Sequence, residues 1–497
     1  MMVRILALLG LMMVPHTLAA AERIALVIGM SDYRTVVKLD NTVNDARGIA
    51  ETLNGIGFQV TIVLDATAED LRTAIADFAF RSETADLALV YFAGHGVEVQ
   101  GENFLIPIDA DIKSNRDVQR QAISLKELLT AVDRARKMRI VILDSCRDNP
   151  FGGALDVAAL EETAATNEAT RSASGRGLAA PSPDRGTLVA FAARAGERAA
   201  DGTGAHSPFA QALIDILPKP GLEISLMFRQ VRDEVLAETF NQQEPHTYGS
   251  LSGTPYYIAG AIEGQSVVQN ADLRVAWSDV RPDQEQLLVS LADLGDTRSM
   301  LGLAYMRLNP ADSRYAPTEA VRLLERAAAA GAPDSQFELA RLYEKGLGVA
   351  QDNARAMELY LAAADQDFPD ALNDLGFLYL QGGLGLTRDP VIGIRYFERA
   401  ADLRQSEAMY NYAAMIDDAA IPGKGPAEAA DYLYQALRSG NAQVYAVLRD
   451  KSDTFKPETR KALQQKLTEY AFYDGGIDGS FGPGTQRSIR AAYGLSE

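Results

Sequence analysis

Short apolar runs alternate with segments of helical periodicity over the first 260 residues of the chain. The runs are rich in Val, Ile, Leu and Ala and lack a polar face, which is typical of strands in a parallel sheet covered by helices on both sides. Their alternation with helices predicts an α/β domain with right-handed crossovers. The predicted strands are 23–29, 59–64, 87–92, 138–146 and 187–192, with a shorter strand at 103–107 and a closing edge strand at 255–258.

Capping residues mark the starts of several predicted helices in this domain. Thr67 and Ser124 each stand three positions before an acidic residue, which is the spacing of a capping box. Ser207 is followed by proline, a pair that favours a helix start. The predicted helices are 44–53, 67–80, 124–137, 207–217 and 223–240.

A second pattern, an internal repeat, begins at about residue 290 and continues to residue 445. The segment from Asp334 recurs from Asp370, and Tyr343 and Tyr379 are 36 residues apart. Paired helices at this period stack into an α-solenoid. The repeats resemble Sel1-type repeats, with two clear central copies and weaker flanking ones, and this resemblance implies a surface that binds a protein partner.

The net charge indicates which partners to expect, and the N-terminal segment indicates the cellular compartment. The net charge of −19 argues against nucleic acid and anionic membranes and favours a cationic ligand such as a basic peptide. Because the acidic residues are spread along the chain, a solvated acidic surface also explains the charge. Residues 1–21 carry Arg4, an apolar core at 5–14 and small residues at the end, which predicts a cleaved signal peptide. An uncleaved anchor is the alternative. We expect an exported protein, periplasmic or extracellular, with no membrane span after cleavage.

The chemistry of the first domain centres on Cys146, the single cysteine of the chain, at the end of the run 138–146. The thiol is either a buried passenger or a reactive group, and the polar neighbours Asp144 and Asp148 favour a reactive group. His95 follows the run 87–92 in a comparable position. Because ligands bind beyond the carboxyl ends of parallel strands, we expect the thiol and the imidazole to share one crevice, as acyl transfer by a cysteine nucleophile requires.

The two strand ends carry a family resemblance. Tyr91-Phe-Ala-Gly-His-Gly96 and Leu143-Asp-Ser-Cys-Arg147 resemble the caspase and metacaspase superfamily of cysteine peptidases. The resemblance covers residues 22–260, with 22–150 similar to the large subunit and 186–260 similar to the small one. It implies a caspase-like fold and a peptidase activity.

The resemblance also implies roles for individual residues. Cys146 matches the nucleophile and His95 matches the group that activates it and protonates the leaving amine. The backbone N–H groups of Gly96 and Cys146 match the oxyanion hole. Asp144 and Asp45 match the acidic pocket by which metacaspases select Arg or Lys before the scissile bond.

Plainer interpretations remain open for the residues around this site. Asp45 can also be interpreted as an acid that stabilises the start of its helix. Asp144 can also be interpreted as a structural partner of its own loop. His206 is interpreted as an ordinary surface residue. His246 lies in a predicted loop and is a candidate for the rim of the site. The sequence has no zinc-ligand spacing, EF-hand pattern or phosphate loop, so we expect no cofactor or metal. Some metacaspases need calcium, but no local signature supports calcium here.

Two linkers and a C-terminal segment complete the predicted organisation. Residues 152–185 lack apolar periodicity and include Arg171, Arg176 and Arg185, where we hypothesise self-cleavage after arginine. Residues 261–289 are a predicted linker to the repeats. Residues 455–497 resemble a partial peptidoglycan-binding domain that ends before the family's usual last helix, so a packing module and a glycan-binding segment are both open.

The leading interpretation is therefore an exported cysteine endopeptidase with a Cys-His dyad and a preference for polypeptides with Arg or Lys. The alternative is a catalytically inert caspase-like scaffold that acts through its helical repeats. A cell-wall adaptor that binds peptidoglycan is a third interpretation.

Overall fold

The structure of the chain is a computed structural model. It forms two compact units, one centred on residues 20–252 and the other on residues 264–497. The signal peptide predicted at 1–21 and the linker predicted at 152–185 lie outside the described residues. The described residues are 23–146, 186–194, 199–249, 251, 255–261, 273–278, 280 and 282–495.

The described part of the N-terminal unit contains eight strands. They are β1 (Arg23–Gly29), β2 (Gln59–Leu64), β3 (Leu87–Val99), β4 (Glu102–Leu105), β5 (Ile123–Ser124), β6 (Met138–Cys146), β7 (Thr187–Phe191) and β8 (His246–Gly249). The main sheet has the order β2-β1-β3-β6-β7-β8, and its neighbours are parallel except for β7 and β8. β4 pairs antiparallel with the end of β3, and β5 pairs with β4. The predicted mostly parallel sheet is confirmed.

The closing edge strand is β8, and the prediction of a strand at 255–258 was wrong. β8 lies antiparallel to β7 with His246 opposite Phe191, whereas Tyr257 makes an isolated bridge to Glu223. Burial alternates along β8, as expected for an edge strand with one solvated face. Four residues are too few for that alternation to stand out in a sequence, so only the pairing identifies the edge.

Helices cover both faces of this sheet. Thr67, Ser124 and Ser207 each cap a helix by accepting the backbone N–H three residues further on, as their sequence context predicts. The described helices of the unit are α1 (Thr42–Gly55), α2 (Ala68–Ser82), α3 (Asn115–Gln121), α4 (Leu125–Val132), α5 (Pro208–Ile216) and α6 (Ile224–Glu238).

The strands at the centre of the sheet are buried on both faces. Leu26 of β1 belongs to one apolar cluster with Phe78 of α2 and Leu128 of α4. Its neighbours Ala25 and Val27 point to the opposite face and are also fully buried. This two-sided burial explains why the strands read as continuous apolar runs, and it fixes the strand ends as the edge at which polar groups collect.

The C-terminal unit is a stack of helical pairs. The pairs are α9 (Thr297–Leu308) with α10 (Pro317–Ala329), α11 (Pro333–Lys345) with α12 (Asn353–Asp365), α13 (Pro369–Gln381) with α14 (Pro390–Asp402), and α15 (Ser406–Asp417) with α16 (Pro426–Arg438). Leu324, Tyr360 and Phe397, at corresponding positions of successive repeats, are buried. The repeated apolar stripe is therefore the core of the predicted α-solenoid.

Part of the predicted linker 261–289 is helical. It contains α7 (Leu273–Ser278) and most of α8 (Pro282–Asp293). The indole of Trp277 is buried, and a Cβ added at Gly302 of α9 would lie 2.5 Å from it. This contact with the first repeat explains the helix: packing against the solenoid stabilises a segment whose own sequence lacks a repeat pattern.

The C-terminal segment extends the solenoid unit. It contains α17 (Ala442–Asp450), a 3-10 helix (Ser452–Thr454), α18 (Pro457–Glu469) and α19 (Pro483–Tyr493). Buried Arg438 of α16 donates from Nη1 to the carbonyl of Ala492 at 2.6 Å, and the rings of Tyr434 and Tyr470 stack with centroids 4.9 Å apart. The segment thus packs on the last repeat. Among the described helices, none has the combined length and apolarity that crossing a membrane requires.

Candidate active site

The site lies where β3 and β6 end side by side. Their parallel register pairs Ala93 with Asp144 and His95 with Cys146. Adjacent strands lie about 4.8 Å apart, so the backbones of His95 and Cys146 are direct neighbours. Gly96 comes one residue later, where β3 pairs with Leu105 of β4 instead. The structure therefore brings together the backbones of the residues predicted to carry the chemistry.

The backbone and ring of His95 are held by contacts from three sides. Its N–H donates to Tyr33 Oη at 2.8 Å, and its carbonyl accepts the N–H of Ile106 at 3.0 Å. Its Nε2 lies 2.7 Å from the carbonyl oxygen of Val37. A carbonyl can only accept, so Nε2 carries the hydrogen.

This contact settles which ring nitrogen of His95 is basic. In the neutral imidazole Nδ1 then has a lone pair, and within the described part of the chain Nδ1 has no hydrogen-bond partner. Burial lowers the pKa of His95 below its usual value, while the bond to Val37 acts in the opposite direction. The neutral ring with an unpartnered Nδ1 is the form that can accept a proton from a nucleophile.

An acidic pocket adjoins this edge of the sheet. Asp45 reaches it from the first turn of α1, Asp144 from the end of β6, and Asp201 from the stretch that follows β7. The described residues that line the pocket include no basic side chain. They are Leu39, Thr42, Asp45, Gly94, Asp144, Ala199, Ala200, Asp201 and Ser207.

Asp45 and Asp144 are buried and joined through the segment before α5. Asp144 Oδ2 accepts from Tyr91 Oη at 3.0 Å and from Ser207 Oγ at 2.6 Å. Asp45 Oδ1 accepts the N–H of Ser207 at 3.1 Å and lies 3.0 Å from His206 Nδ1. Each carboxylate is therefore a buried acid with two specific partners, beyond what a solvated helix-terminal acid would show.

Burial raises the pKa of both carboxyl groups. The pKa of Asp45 rises to about 8, because burial disfavours its charge and Asp144 repels it. The pKa of Asp144 rises to about 6 through burial, although its bonds from Ser207 and Tyr91 favour the charged form. Both carboxyl groups therefore take up protons at a higher pH than ordinary aspartates, and the described residues that line the pocket supply no basic side chain to oppose this.

Asp201 lines the pocket, although no pattern in the sequence identifies it as a site residue. Its Oδ2 accepts the backbone N–H of Asp40 at 3.1 Å, and Asn41 Nδ2 donates to its carbonyl at 2.6 Å. Asp201 therefore holds the residues just before α1, and with them the start of the helix that carries Asp45. It follows no apolar run and belongs to no motif, so only the fold connects it to the site.

Two further histidines, His206 and His246, lie differently from their predicted places. His206, expected as a plain surface residue, contacts Asp45, because the chain before α5 folds back over α1. His246, expected in a loop, begins β8, where its ring contacts Tyr248 at a centroid distance of 4.8 Å. Over the described residues, no group of three or more His, Cys, Asp and Glu side chains is arranged to hold a metal ion.

Comparison with known families agrees with this geometry. Residues 22–256 match the family described as Caspase domain. The N-terminal unit carries a caspase-like domain. Residues 297–331, 333–368, 369–404 and 406–441 match the Sel1 repeat, which confirms the predicted central and flanking repeats. Residues 456–492 match a peptidoglycan binding domain, so the C-terminal helix α19 lies in a segment of that kind.

Individual relatives resemble parts of the chain. Mucosa-associated lymphoid tissue lymphoma translocation protein 1 of Homo sapiens is 29% identical over 129 residues, which are 26% of this chain and 15% of the human protein. The exopolysaccharide production negative regulator of Rhizobium leguminosarum bv. viciae is 30% identical over 147 residues, covering 26% of this chain and 53% of that protein. The chain thus spans well under two thirds of the length of these relatives.

One solved structure resembles the chain at low identity. The crystal structure of a Sel1 repeat protein from Oxalobacter formigenes is 20% identical and covers 42% of this chain and 96% of its own, with a TM-score of 0.30.

Gly94 makes the close packing around the caspase-like site testable. A Cβ at this position would lie 2.6 Å from Tyr33 Oη and 2.9 Å from Phe92 Cζ. We expect Gly94→Ala to lower the free energy of unfolding by roughly 1–3 kcal/mol through overpacking, measured by urea titration. Gly55→Ala is the control, since a Cβ there meets no described atom within 4 Å. Equal stability of the two variants would contradict the packing of Tyr33 under His95.

Proposed function

We propose that the chain is a cysteine endopeptidase whose nucleophile is the Cys146 thiol. The observation that carries the proposal concerns Nδ1 of His95, on a strand in register with Cys146: it has no hydrogen-bond partner within the described part of the chain. In this mechanism the thiol gives its proton to Nδ1, and the thiolate attacks the carbonyl carbon of the scissile bond. The carbonyl of Val37 holds the ring through Nε2 and stabilises the imidazolium that forms.

The remaining steps return both residues to their starting state. The oxyanion of the tetrahedral intermediate accepts from the backbone N–H groups predicted for that role, those of Gly96 and Cys146. The imidazolium then protonates the leaving amine, the carbon–nitrogen bond breaks, and an acyl-enzyme remains on the sulfur. Water, deprotonated by the neutral ring, attacks the thioester, releases the new carboxyl terminus and restores the thiol.

We further propose that the enzyme cleaves after Arg or Lys. The support is the acidic pocket, where Asp45, Asp144 and Asp201 line one space beside Gly94, the residue before His95. A guanidinium or ammonium group complements the charge of these three carboxylates, because the described lining contains no basic side chain. The linker predicted at 152–185 then offers Arg171, Arg176 and Arg185 as sites of self-cleavage, in a segment outside the described residues.

A second candidate function is a scaffold that acts through its repeats while the caspase-like domain is inert. The four matched Sel1 repeats favour an interaction with a protein partner. Binding through the repeats is also compatible with an active peptidase, so a test of activity decides whether the caspase-like domain is inert. We also propose that the protein is exported, on the strength of Arg4 and the apolar stretch 5–14.

Peptide cleavage by the full chain tests the enzyme proposal. We expect the wild type to cleave peptides with Arg or Lys before the scissile bond, and to cleave the citrulline analogue about 100-fold less well by kcat/KM. Cys146→Ala should lower kcat by about 1000-fold or more. Citrulline is the matched control because it has the shape of arginine without its charge. No cleavage by the wild type, or cleavage that survives Cys146→Ala, would favour the scaffold.

The wild type and Cys146→Ala also test the self-cleavage hypothesis. We expect fragments ending at Arg171, Arg176 or Arg185 in the wild type but not in Cys146→Ala. A wild-type chain that stays whole while it cleaves arginine peptides would remove the self-cleavage hypothesis alone.

The pKa values of the pocket predict a pH dependence of substrate binding. Asp45 and Asp144 lose their protons between about pH 6 and pH 8 in the empty pocket, and a bound cation favours the ionised forms. The KM for an arginine peptide should therefore fall as the pH rises from 5.5 to 8.5, by up to about tenfold per pH unit. The KM for the citrulline peptide should stay level, and parallel behaviour of the two peptides would argue against these carboxylates.

The C-terminal match supports an affinity for peptidoglycan, which we propose as a further partner. Ile477 is an exposed apolar side chain in the matched segment, 39% accessible to solvent. We expect Ile477→Ser to weaken binding to insoluble peptidoglycan about fivefold in a sedimentation assay, equivalent to about 1 kcal/mol of lost apolar contact. Leu294→Ser is the control, because Leu294 is exposed in the same unit outside the match. Equal binding of both variants would exclude Ile477 as a contact with peptidoglycan, and no binding by the wild type would leave the segment a packing module.

A further inference from the structure

Two adjacent residues, His206 and Ser207, contact both of the buried carboxylates. His206 Nδ1 lies 3.0 Å from Asp45 Oδ1, and the N–H of Ser207 donates to the same oxygen at 3.1 Å. Ser207 Oγ donates to Asp144 Oδ2 at 2.6 Å. Both bonds to Asp45 reach Oδ1, so among the described contacts its Oδ2 remains available to a ligand.

His206 and Ser207 are each held in place by contacts with a neighbouring helix. Ser207 is the N-cap of α5, and its Oγ accepts the N–H of Ala210 at 3.0 Å while it donates to Asp144. The imidazole of His206 lies over Gly48, one turn beyond Asp45 on α1, where an added Cβ would be 2.9 Å from His206 Cε1. Glycine at this position leaves room for the imidazole ring. The side chain of His206 is 23% exposed.

The charges around His206 come from three elements. Asp45 faces it from α1, while Asp144 from β6 and Asp201 from the stretch after β7 line the same pocket. Tyr91 contributes a hydroxyl to Asp144. When a cation occupies the pocket, Asp45 is ionised and can only accept, so Nδ1 of His206 must donate.

We propose that His206 is a positioning residue for recognition of the basic substrate side chain. Its Nδ1–H fixes Oδ1 of Asp45 and directs Oδ2 toward the entering guanidinium or ammonium group, while Ser207 sets the position of Asp144 relative to Asp45. The inference rests on the proposed preference for Arg or Lys. It assigns His206 no contact with the reacting atoms, so its loss weakens binding of the cation and leaves the chemical step intact.

Steady-state kinetics of two substitutions test the assignment. We expect His206→Ala to raise the KM for an arginine peptide about tenfold, the worth of one hydrogen bond to a charged group, with kcat changed less than twofold. His206→Asn should restore KM to within about threefold of the wild type, because its Nδ2–H can donate from a place close to Nδ1. The KM for the citrulline peptide should be the same in all three proteins.

Three kinetic results would overturn the assignment. One is a fall in kcat at constant KM, which would make His206 part of the chemical step. Another is an equal loss for arginine and citrulline peptides, which would indicate a general disturbance of the fold. The third is failure of His206→Asn to improve on His206→Ala, which would exclude the hydrogen bond as the cause.

Binding of agmatine, a small guanidine, separates this inference from the peptidase proposal. Calorimetry on Cys146→Ala and on Cys146→Ala/His206→Ala needs no catalysis, and we expect the second protein to bind agmatine about tenfold more weakly. A His206-dependent affinity in a chain that cleaves no peptide would reject the peptidase and support the positioning role. Equal affinities of the two proteins would reject the positioning role whatever the activity.

Discussion

The parallel pairing of β3 with β6 is the constraint on which the rest of the site depends. Its register sets Ala93 beside Asp144 and His95 beside Cys146, so one pairing brings together both the proposed dyad and one wall of the acidic pocket. A shift of one residue would move every side chain of β6 to the opposite face of the sheet. Asp144 would then lose the hydrogen bonds that it accepts from Tyr91 and Ser207, so these polar partners help to specify the register.

Burial and hydrogen bonding act in opposite directions on the carboxyl groups of the acidic pocket. Asp45 and Asp144 come from elements far apart in sequence, and burial disfavours the ionised form of each. The segment before α5 compensates in part, because Ser207 bonds both carboxylates. In the proposed function, a basic side chain of the substrate supplies the remaining stabilisation. The pocket is in this sense preorganised for its proposed substrate.

The C-terminal unit is stabilised in a different way from the sheet domain. Each helical pair buries its apolar face against its neighbours, so stability accumulates along the stack and the ends need special packing. Trp277 of α7 packs against the first repeat, and Arg438 of α16 bonds the segment that follows the last one. The peptidoglycan-binding-like segment is therefore integral to the solenoid unit, which is why a point substitution tests its binding better than a deletion.

The sequence by itself determined the buried parallel strands, the repeats and the two strand ends that bear His95 and Cys146, because these follow from the apolar pattern that each segment carries locally. Asp45 and Asp144 were within reach of sequence reasoning only through the family resemblance. The tertiary structure alone decided that Asp201 lines the pocket, that His206 contacts Asp45, and that 246–249 forms the edge strand. These outcomes depend on how irregular segments fold back over the sheet, and such paths are set by long-range contacts that leave no local pattern in the chain.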